Sequence, residues 1–376
     1  MRATLADAAL LRYAGRFVWL ELDFDKLVNQ PFLARHGVSF TPTLFVFDPA
    51  NERATATKFG GLTLAELMQF LEWGERGIKE KSRSPADAAL AQGDELMGNG
   101  RLAEAVAAYR DALRLAHPDW QERSRTVAAL TKALSVNRDY QQCAETAAVE
   151  APSMTRGPVF ATVVLNGYGC AGAGREAPWA LAAQKTLEPL AVEAVALMSI
   201  LRDDRFQLYQ QLMFVAKTQG DDATVKRWGE RWLGEIESTT PANDNERSAL
   251  DIARTDAASL MGDPARVIPA LTASERAMSN NYNASLRLAE VLVDARRYDG
   301  ALAACARGLR HVTGPLARSW ILSIKGRALL GKGENTKARA VLEQALQSAR
   351  TIGNKNLRDS NVRRITQAVA DTNKKP

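Results

Sequence analysis

The residue types able to carry chemistry are few and scattered. Three cysteines, Cys143, Cys170 and Cys305, and three histidines, His36, His117 and His311, lie far apart in the chain. No Cys-x-x-Cys pair occurs and neither set has the short spacing of a zinc site, so no metal site is expected. Cys143 and Cys305 fall at small-residue positions of predicted helices, where a thiol serves as a packing group. His36 stands near a Thr-Pro step, but a catalytic base needs a nucleophile within hydrogen-bond reach, and no sequence neighbour qualifies. It reads as a half-exposed side chain at a helix end. Gly167-Tyr168-Gly169-Cys170-Ala171-Gly172 matches G-x-G-x-x-G, after a run, Phe160 to Leu165, that could pass for a strand. A dinucleotide site requires a helix to open in that loop, so that its first amides meet the pyrophosphate. Gly174 and Pro178 interrupt any such helix, and no second strand follows. The expectation is a helix ending in a glycine-rich turn, with no nucleotide or other cofactor. Asp23 and Asp25 read as turn and cap residues, and Trp228 with Trp232 as a buried helical stripe. No catalytic residue is assigned.

Composition sets the frame for these residues. A chain of 376 residues is too long for one typical core and fits a compact domain plus something extended, or two domains. With 46% apolar and 24% charged residues, most of it should fold. The net charge of +6 suits an acidic partner, but basic residues are interleaved with Asp and Glu, so nucleic acid is not an expected partner. No apolar run reaches the ~18 residues of a membrane-spanning helix, and the start lacks the basic-then-apolar order of a signal peptide. Taken literally, this describes a cytoplasmic protein.

The first segment alternates helix and strand. Residues 4 to 14 carry helical periodicity, Phe17 to Leu22 reads as a strand, and a short helix from Gln30 to His36 has Pro31 in its first turn. Pro cannot donate a ladder hydrogen bond, so Pro42 suits the mouth of the apolar strand Thr43 to Phe47, which ends in the turn Asp48-Pro49-Ala50-Asn51. A partner strand near Ala54 to Phe59, Gly60-Gly61 and an amphipathic helix from Thr63 to Trp73 follow. Thr63 and Glu66 have capping-box spacing. Residues 75–85 are charged and poor in apolar groups, a domain boundary closed by Pro85.

This order, with Gly37-Val38, Thr41-Pro42-Thr43 and Gly60-Gly61, resembles the second half of a thioredoxin-like domain. The resemblance implies a cis Thr41-Pro42 bond facing a redox cysteine pair, which is absent here. It also implies a missing strand between Phe17–Leu22 and Thr43–Phe47, leaving backbone groups of both unpaired. Two explanations are open: the protein truly begins at Met1, or Met1 is internal and a Cys-x-x-Cys segment, with an export signal, precedes it. Under the second, the protein belongs to the periplasm or cell envelope and would be a thiol-disulfide oxidoreductase whose catalytic segment is missing from this chain.

Beyond Pro85 helical periodicity takes over. Gly93, Leu96, Gly100, Leu102, Ala105, Tyr109 and Ala112, between Ala86 and Pro118, resemble a tetratricopeptide repeat, with small residues where two helices cross. Related units recur at Ser124–Ala151, Pro158–Pro189, Phe206–Trp232, Asn245–Met278, Tyr282–Gly308 and Ser319–Ala345. A helix at 354–365 closes the stack. The expected fold is mostly α: a helical-hairpin solenoid at 86–353, preceded by an incomplete α/β thioredoxin-like domain at 1–74 and a linker at 75–85, and followed by a capping helix and tail at 354–376. Some repeat proteins of this type grip a carboxylate with Lys and Asn on inner helices. The corresponding positions here, Asp87, Asp94, Arg125, Lys132, Arg287, Glu290 and Arg327, have mixed signs and no Asn. The expected function is a protein-interaction scaffold for a protein or peptide ligand. Lys132, Arg287 and Arg327 would contact an acidic partner, and Thr41 and Pro42 would offer strand-like pairing to a peptide.

Overall fold

The computed structural model describes residues 2–23, 26–36, 38, 41–79 and 84–372. Gly37, Ser39 and Phe40 of the Gly-Val to Thr-Pro stretch, Asp25 of the acidic turn and residues 80–83 of the expected linker lie outside the described residues. The chain divides into two compact units, Met1–Thr218 and Gln219–Pro376.

The first unit opens with α1 (Arg2–Leu5) and a 3-10 turn at Ala8–Tyr13, in place of the continuous helix expected over 4–14. Asp7 caps the turn by accepting from the Ala9 amide, and Tyr13, fully buried, donates to the Glu72 carboxylate at 3.0 Å. The strand expected at Phe17–Leu22 is not formed. Among the described residues the only sheet is the antiparallel pair β1 (Thr43–Asp48) and β2 (Arg53–Phe59), which offers that segment no partner. A strand without a neighbour leaves its amides and carbonyls to water, so the extended form gains nothing there. Before β1, α2 (Gln30–Arg35) has Pro31 in its first turn, as expected.

The hairpin lies between two helices. On one side Val46 meets α3 (Leu64–Lys79) at Gly74, where a Cβ would fall 2.5 Å from the Val46 Cβ. On the other, Phe45 and Thr57 meet Gly98 of α4 (Pro85–Gly98). The capping box forms as expected: the Glu66 carboxylate accepts from the Thr63 amide at 2.9 Å, and the Thr63 hydroxyl from the Glu66 amide. The helix runs six residues past Trp73, through the start of the expected linker, because Glu75 pairs with Lys79 and Arg16 and Arg76 with Glu122.

Helical hairpins follow: α4 with α5 (Leu102–Leu115), α6 (Arg123–Val136) with α7 (Tyr140–Glu150), and α8 (Pro158–Ala173) with α9 (Pro178–Val195), then α10 (Arg202–Thr218). Gly93 fits beside the Tyr109 ring, which a Cβ would approach to 2.5 Å, so the close helix crossing requires glycine. The G-x-G-x-x-G run lies inside α8, so the helix expected there continues through the glycines, where a glycine-rich turn was expected, and ends at Gly174. Gly167 admits Ala147 of α7; a Cβ there would fall 2.1 Å from the Ala147 Cβ. One turn along, Cys143 and Cys170 form a disulfide, which corrects the reading of Cys143 as a packing thiol. Sequence separation concealed the pair: 27 residues become adjacent only when α7 and α8 pack.

The second unit holds α11 (Asp222–Ser238), α12 (Asp244–Met261), α13 (Ile268–Ala277), α14 (Tyr282–Asp294), α15 (Tyr298–Leu309), α16 (Pro315–Gly331), α17 (Asn335–Arg350) and α18 (Lys355–Asp371). Trp228 and Trp232 are buried, as their spacing implies. A polar cluster ties three helices: Glu275 of α13 accepts from Ser285 of α14 and, twice, from Arg307 of α15. Cys305 is buried and unbridged, and burial pushes its thiol up to about 12. Terminal α18 packs Ile365, Leu357 and Val362 against α17, and its Asn361 accepts from the Trp320 indole at 2.7 Å. Among the described residues no helix is long and apolar enough to cross a membrane.

Candidate functional site

Within the first unit, β2 and the helices α4, α6, α8 and α10 wall a cavity of about 130 Å³. Its charged lining is Lys58 of β2, Asp94 of α4, Arg125 and Lys132 of α6, and Asp204 of α10. Local sequence explains how a strand residue reaches a helical surface. Gly60, at φ +90°, takes a turn that other residues adopt only under strain, and its amide donates to the Pro42 carbonyl at 2.9 Å. Gly61 then lies against Leu201, just before α10, where a Cβ would come within 2.7 Å of the Leu201 Cδ1. The hairpin end is thereby seated beside the first turn of α10, which carries Asp204.

One half of the charge is internally satisfied. Asp94, almost fully buried, accepts from the Tyr109 hydroxyl at 3.0 Å and from the Arg125 guanidinium, which also lies over the Trp73 ring at 4.7 Å. Burial pushes the Tyr109 hydroxyl well up, and Asp94 adds to the shift. For Arg125, burial opposes its charge, but Asp94 outweighs it and holds the guanidinium ionised. Residues 94, 109 and 125 thus form a structural network, as a buried pair must when its polar atoms are shared.

The side chains of Lys58 and Asp204 make no hydrogen bond or contact ion pair among the described residues. Burial lowers Lys58, against the raising influence of Glu66 and Asp204. Lys132 is lowered by burial and then by the charge of Lys58 itself. Asp204 is raised to about 6 by burial and next by Glu66. Two polar atoms of the lining, Thr57 Oγ1 and Arg125 Nη1, are buried with no hydrogen-bond partner.

Of the residues singled out from the sequence, Asp94, Arg125 and Lys132 line this cavity, and Pro42 accepts from the amide of Gly60, which also lines it. Thr41 and Pro42 are exposed and their peptide bond is cis. Arg287 and Arg327 belong to the second unit. Arg287 pairs with Glu290 at 3.0 Å beside Trp320 and Ile324, and Arg327 with Asp294 at 2.7 Å. His36 is not half-exposed. It is buried among Phe32, Phe45 and Phe47, with ring centroids 4.5 to 5.5 Å away, and burial lowers its imidazole. Sequence reasoning missed Lys58 and Asp204. The one available signal was a single Lys in a strand otherwise made of Thr, Ala and Phe after Arg53.

Residues 90–126, which span α4 to the start of α6, match the model of the tetratricopeptide repeat family. The chain is also similar to a tetratricopeptide repeat protein from Parabacteroides merdae, with 11% identity, 76% of this chain and all of that one covered, and a TM-score of 0.47. A second similar structure is the TPR2AB-domain:pHSP90 complex of yeast Sti1, with 15% identity, 77% and 98% coverage and a TM-score of 0.30. Tetratricopeptide-type repeat sequence is therefore present at residues 90–126, in a mostly helical chain with, among the described residues, one small two-stranded sheet.

Proposed function

We propose that this protein is a protein-interaction scaffold whose repeats hold a peptide or a partner's extended segment. The observation that carries this reading is the cavity where α4, α6, α8 and α10 each present a face toward one space while their apolar faces stay packed in the hairpins. Repeat hairpins of this type bury their cores against neighbours and leave such faces for partners. Lys132 would meet an acidic group there, Arg287 and Arg327 would add acidic-partner contacts in the second unit, and Thr41 with Pro42 would offer backbone to an extended peptide. Residues 1–74 are proposed as a redox-inactive thioredoxin-like portion, supported by the order of α2, β1, β2 and α3.

The test is selection of peptides from a random display library on the immobilised chain. Peptides that bind with micromolar affinity and lose at least tenfold with Lys132→Glu support the reading. Failure to enrich any sequence overturns it. One observation favours a cell-envelope setting, since the Cys143–Cys170 bridge suits an oxidising compartment. Thiol titration of the unfolded, unreduced protein purified from its native cells would then find one free cysteine, and three would refute that setting.

A further inference from the structure

Most polar side chains around the cavity in the first unit are already used within the protein. Asp94 is held by Tyr109 and Arg125, Asn166 donates to the Thr131 hydroxyl at 3.3 Å, Thr162 to the Pro158 carbonyl at 3.0 Å and Gln207 to the Asp203 carbonyl at 3.5 Å. Lys132 also has a partner in the fold. Thr57 Oγ1 and Arg125 Nη1 are sealed in protein, with no surface on the space. Two groups remain, the Lys58 amine from β2 and the Asp204 carboxylate from α10. Each charge acts on the other's ionisation, yet the two do not touch. Opposite charges held apart in a half-buried place leave one strong donor and one strong acceptor unfulfilled.

That pair selects the chemistry of an occupant. It must accept from an ammonium and donate to a carboxylate at once, and since Lys58 offsets Asp204 and Arg125 offsets Asp94, it needs no net charge to match them. An anion would satisfy Lys58 but meet repulsion from Asp204, and a cation the reverse. A zwitterion would satisfy both at the cost of stripping water from two more ions. A primary carboxamide carries an acceptor oxygen and N–H donors on one planar, uncharged group. The remaining wall is apolar, with Met97, Ala128, Val159 and Leu165, and about 130 Å³ admits such a head group on a few carbon atoms.

We infer that this cavity binds a primary carboxamide on a short aliphatic stem, its oxygen accepting from Lys58 and its N–H donating to Asp204. The group arrives as a free small amide or as an Asn or Gln side chain of a bound partner. In the second form it rests on the scaffold reading and names the side chain the cavity selects; in the first it stands apart from it.

The same pair sets the pH response. The charged and titratable groups facing the pair or acting on it are Lys58 of β2, Glu66 of α3, Asp94 of α4, Tyr109 of α5, Arg125 and Lys132 of α6, and Asp203 and Asp204 of α10. Asp204, raised to about 6, gains a proton as pH falls from 8 toward 5, and a neutral acid is the weaker acceptor. Carboxamide binding therefore weakens on acidification, while Lys58, a base, keeps or gains its proton.

Calorimetric titration of the whole chain with butyramide, sodium butyrate, butylamine and 1-butanol tests the assignment, with acetyl-Gly-Gln-Gly-N-methylamide and its Met counterpart as the peptide arm. Saturable butyramide binding, about fivefold or more tighter than the other three small molecules and lost to a similar extent in folded Lys58→Met, supports it. Asp204→Asn removes the dependence on pH. Binding of the Gln peptide without butyramide assigns the source to a partner's side chain and keeps the carboxamide chemistry. Butyramide binding with no peptide enriched from the display library keeps this site and removes the scaffold reading. No saturable binding of butyramide or the Gln peptide, equal binding of the Met peptide, tighter binding of butyrate or butylamine, or unchanged affinity in folded Lys58→Met would overturn it.

Discussion

The N-terminal layer and the helical hairpins behind it face the same task, burying apolar side chains, and they differ in how far they succeed. In the layer, Val18 and Leu20 are 88% and 81% exposed and Trp19 and Leu22 are also open to solvent. In the hairpins, Leu90, Leu134, Leu187 and Leu208 are fully buried. A hairpin of helices satisfies its own backbone hydrogen bonds and needs a neighbour only for its apolar stripe. A strand needs a neighbour for both, so Phe17 to Leu22 stays irregular while each helix forms on its own terms. The comparison teaches that cohesion in the first unit runs through the helices, and that the two-stranded sheet is attached to them by close contacts at Gly74 and Gly98.

Breaking the helical side should have the largest effect. Asp94→Ala leaves Arg125 and the Tyr109 hydroxyl buried without their acceptor and should cost about 3–5 kcal/mol in denaturant unfolding of the first unit. A loss under ~1 kcal/mol would show the network to be replaceable by water. Next comes the Cys143–Cys170 bridge. Reduction, or replacement of both by Ala, should remove about 2–4 kcal/mol, read as a lower midpoint in a reducing than in a non-reducing melt.

Substitutions in the sheet should act locally. Gly74→Val forces a side chain into Val46 and should cost about 1–3 kcal/mol, with faster hydrogen exchange in β1 and β2 but unchanged exchange in α6 to α9. Uniform loss of protection through the whole unit would erase the distinction between layer and hairpins. His36 should give a smaller, pH-dependent effect. Its imidazole is lowered in the folded state, so the unfolded chain binds the proton more readily, and stability falls as pH drops below its ordinary value of about 6.5. Protection factors in β1, taken relative to the intrinsic exchange rate at each pH, should fall between pH 7 and 5, and His36→Phe should remove that dependence. The smallest effect belongs to Leu20→Ser, within about 0.5 kcal/mol in either direction, since that side chain already meets water.

Much of the helical part was legible because its determinants are local. Gly93 with Tyr109, Gly326 with Leu342 and the capping pair Thr63–Glu66 are each encoded within about a helical hairpin. Small residues at helix crossings and caps at helix starts leave periodic marks in sequence. The glycine run at 167–172 misled for the same physical reason that it matters. Glycine marks both tight turns and close helix packing, and only the position of Ala147 distinguishes them. The candidate site was legible in Asp94, Arg125 and Lys132, inner-helix positions that the repeat pattern marks. Lys58 and Asp204 are 146 positions apart in sequence, and nothing in either neighbourhood announces the other.

By itself, the sequence determined that this protein is built mostly of paired helices and which small residues, such as Gly93 and Gly326, let them cross. It determined this because helix hydrogen bonds and hairpin packing close over short stretches of chain. Tertiary structure alone decided that Phe17 to Leu22 forms no strand, that Cys143 meets Cys170, that His36 sits inside an aromatic cluster, and that a strand lysine faces a helix lysine across one cavity. Each of these depends on which distant surfaces meet, and burial and charge act only after they have met.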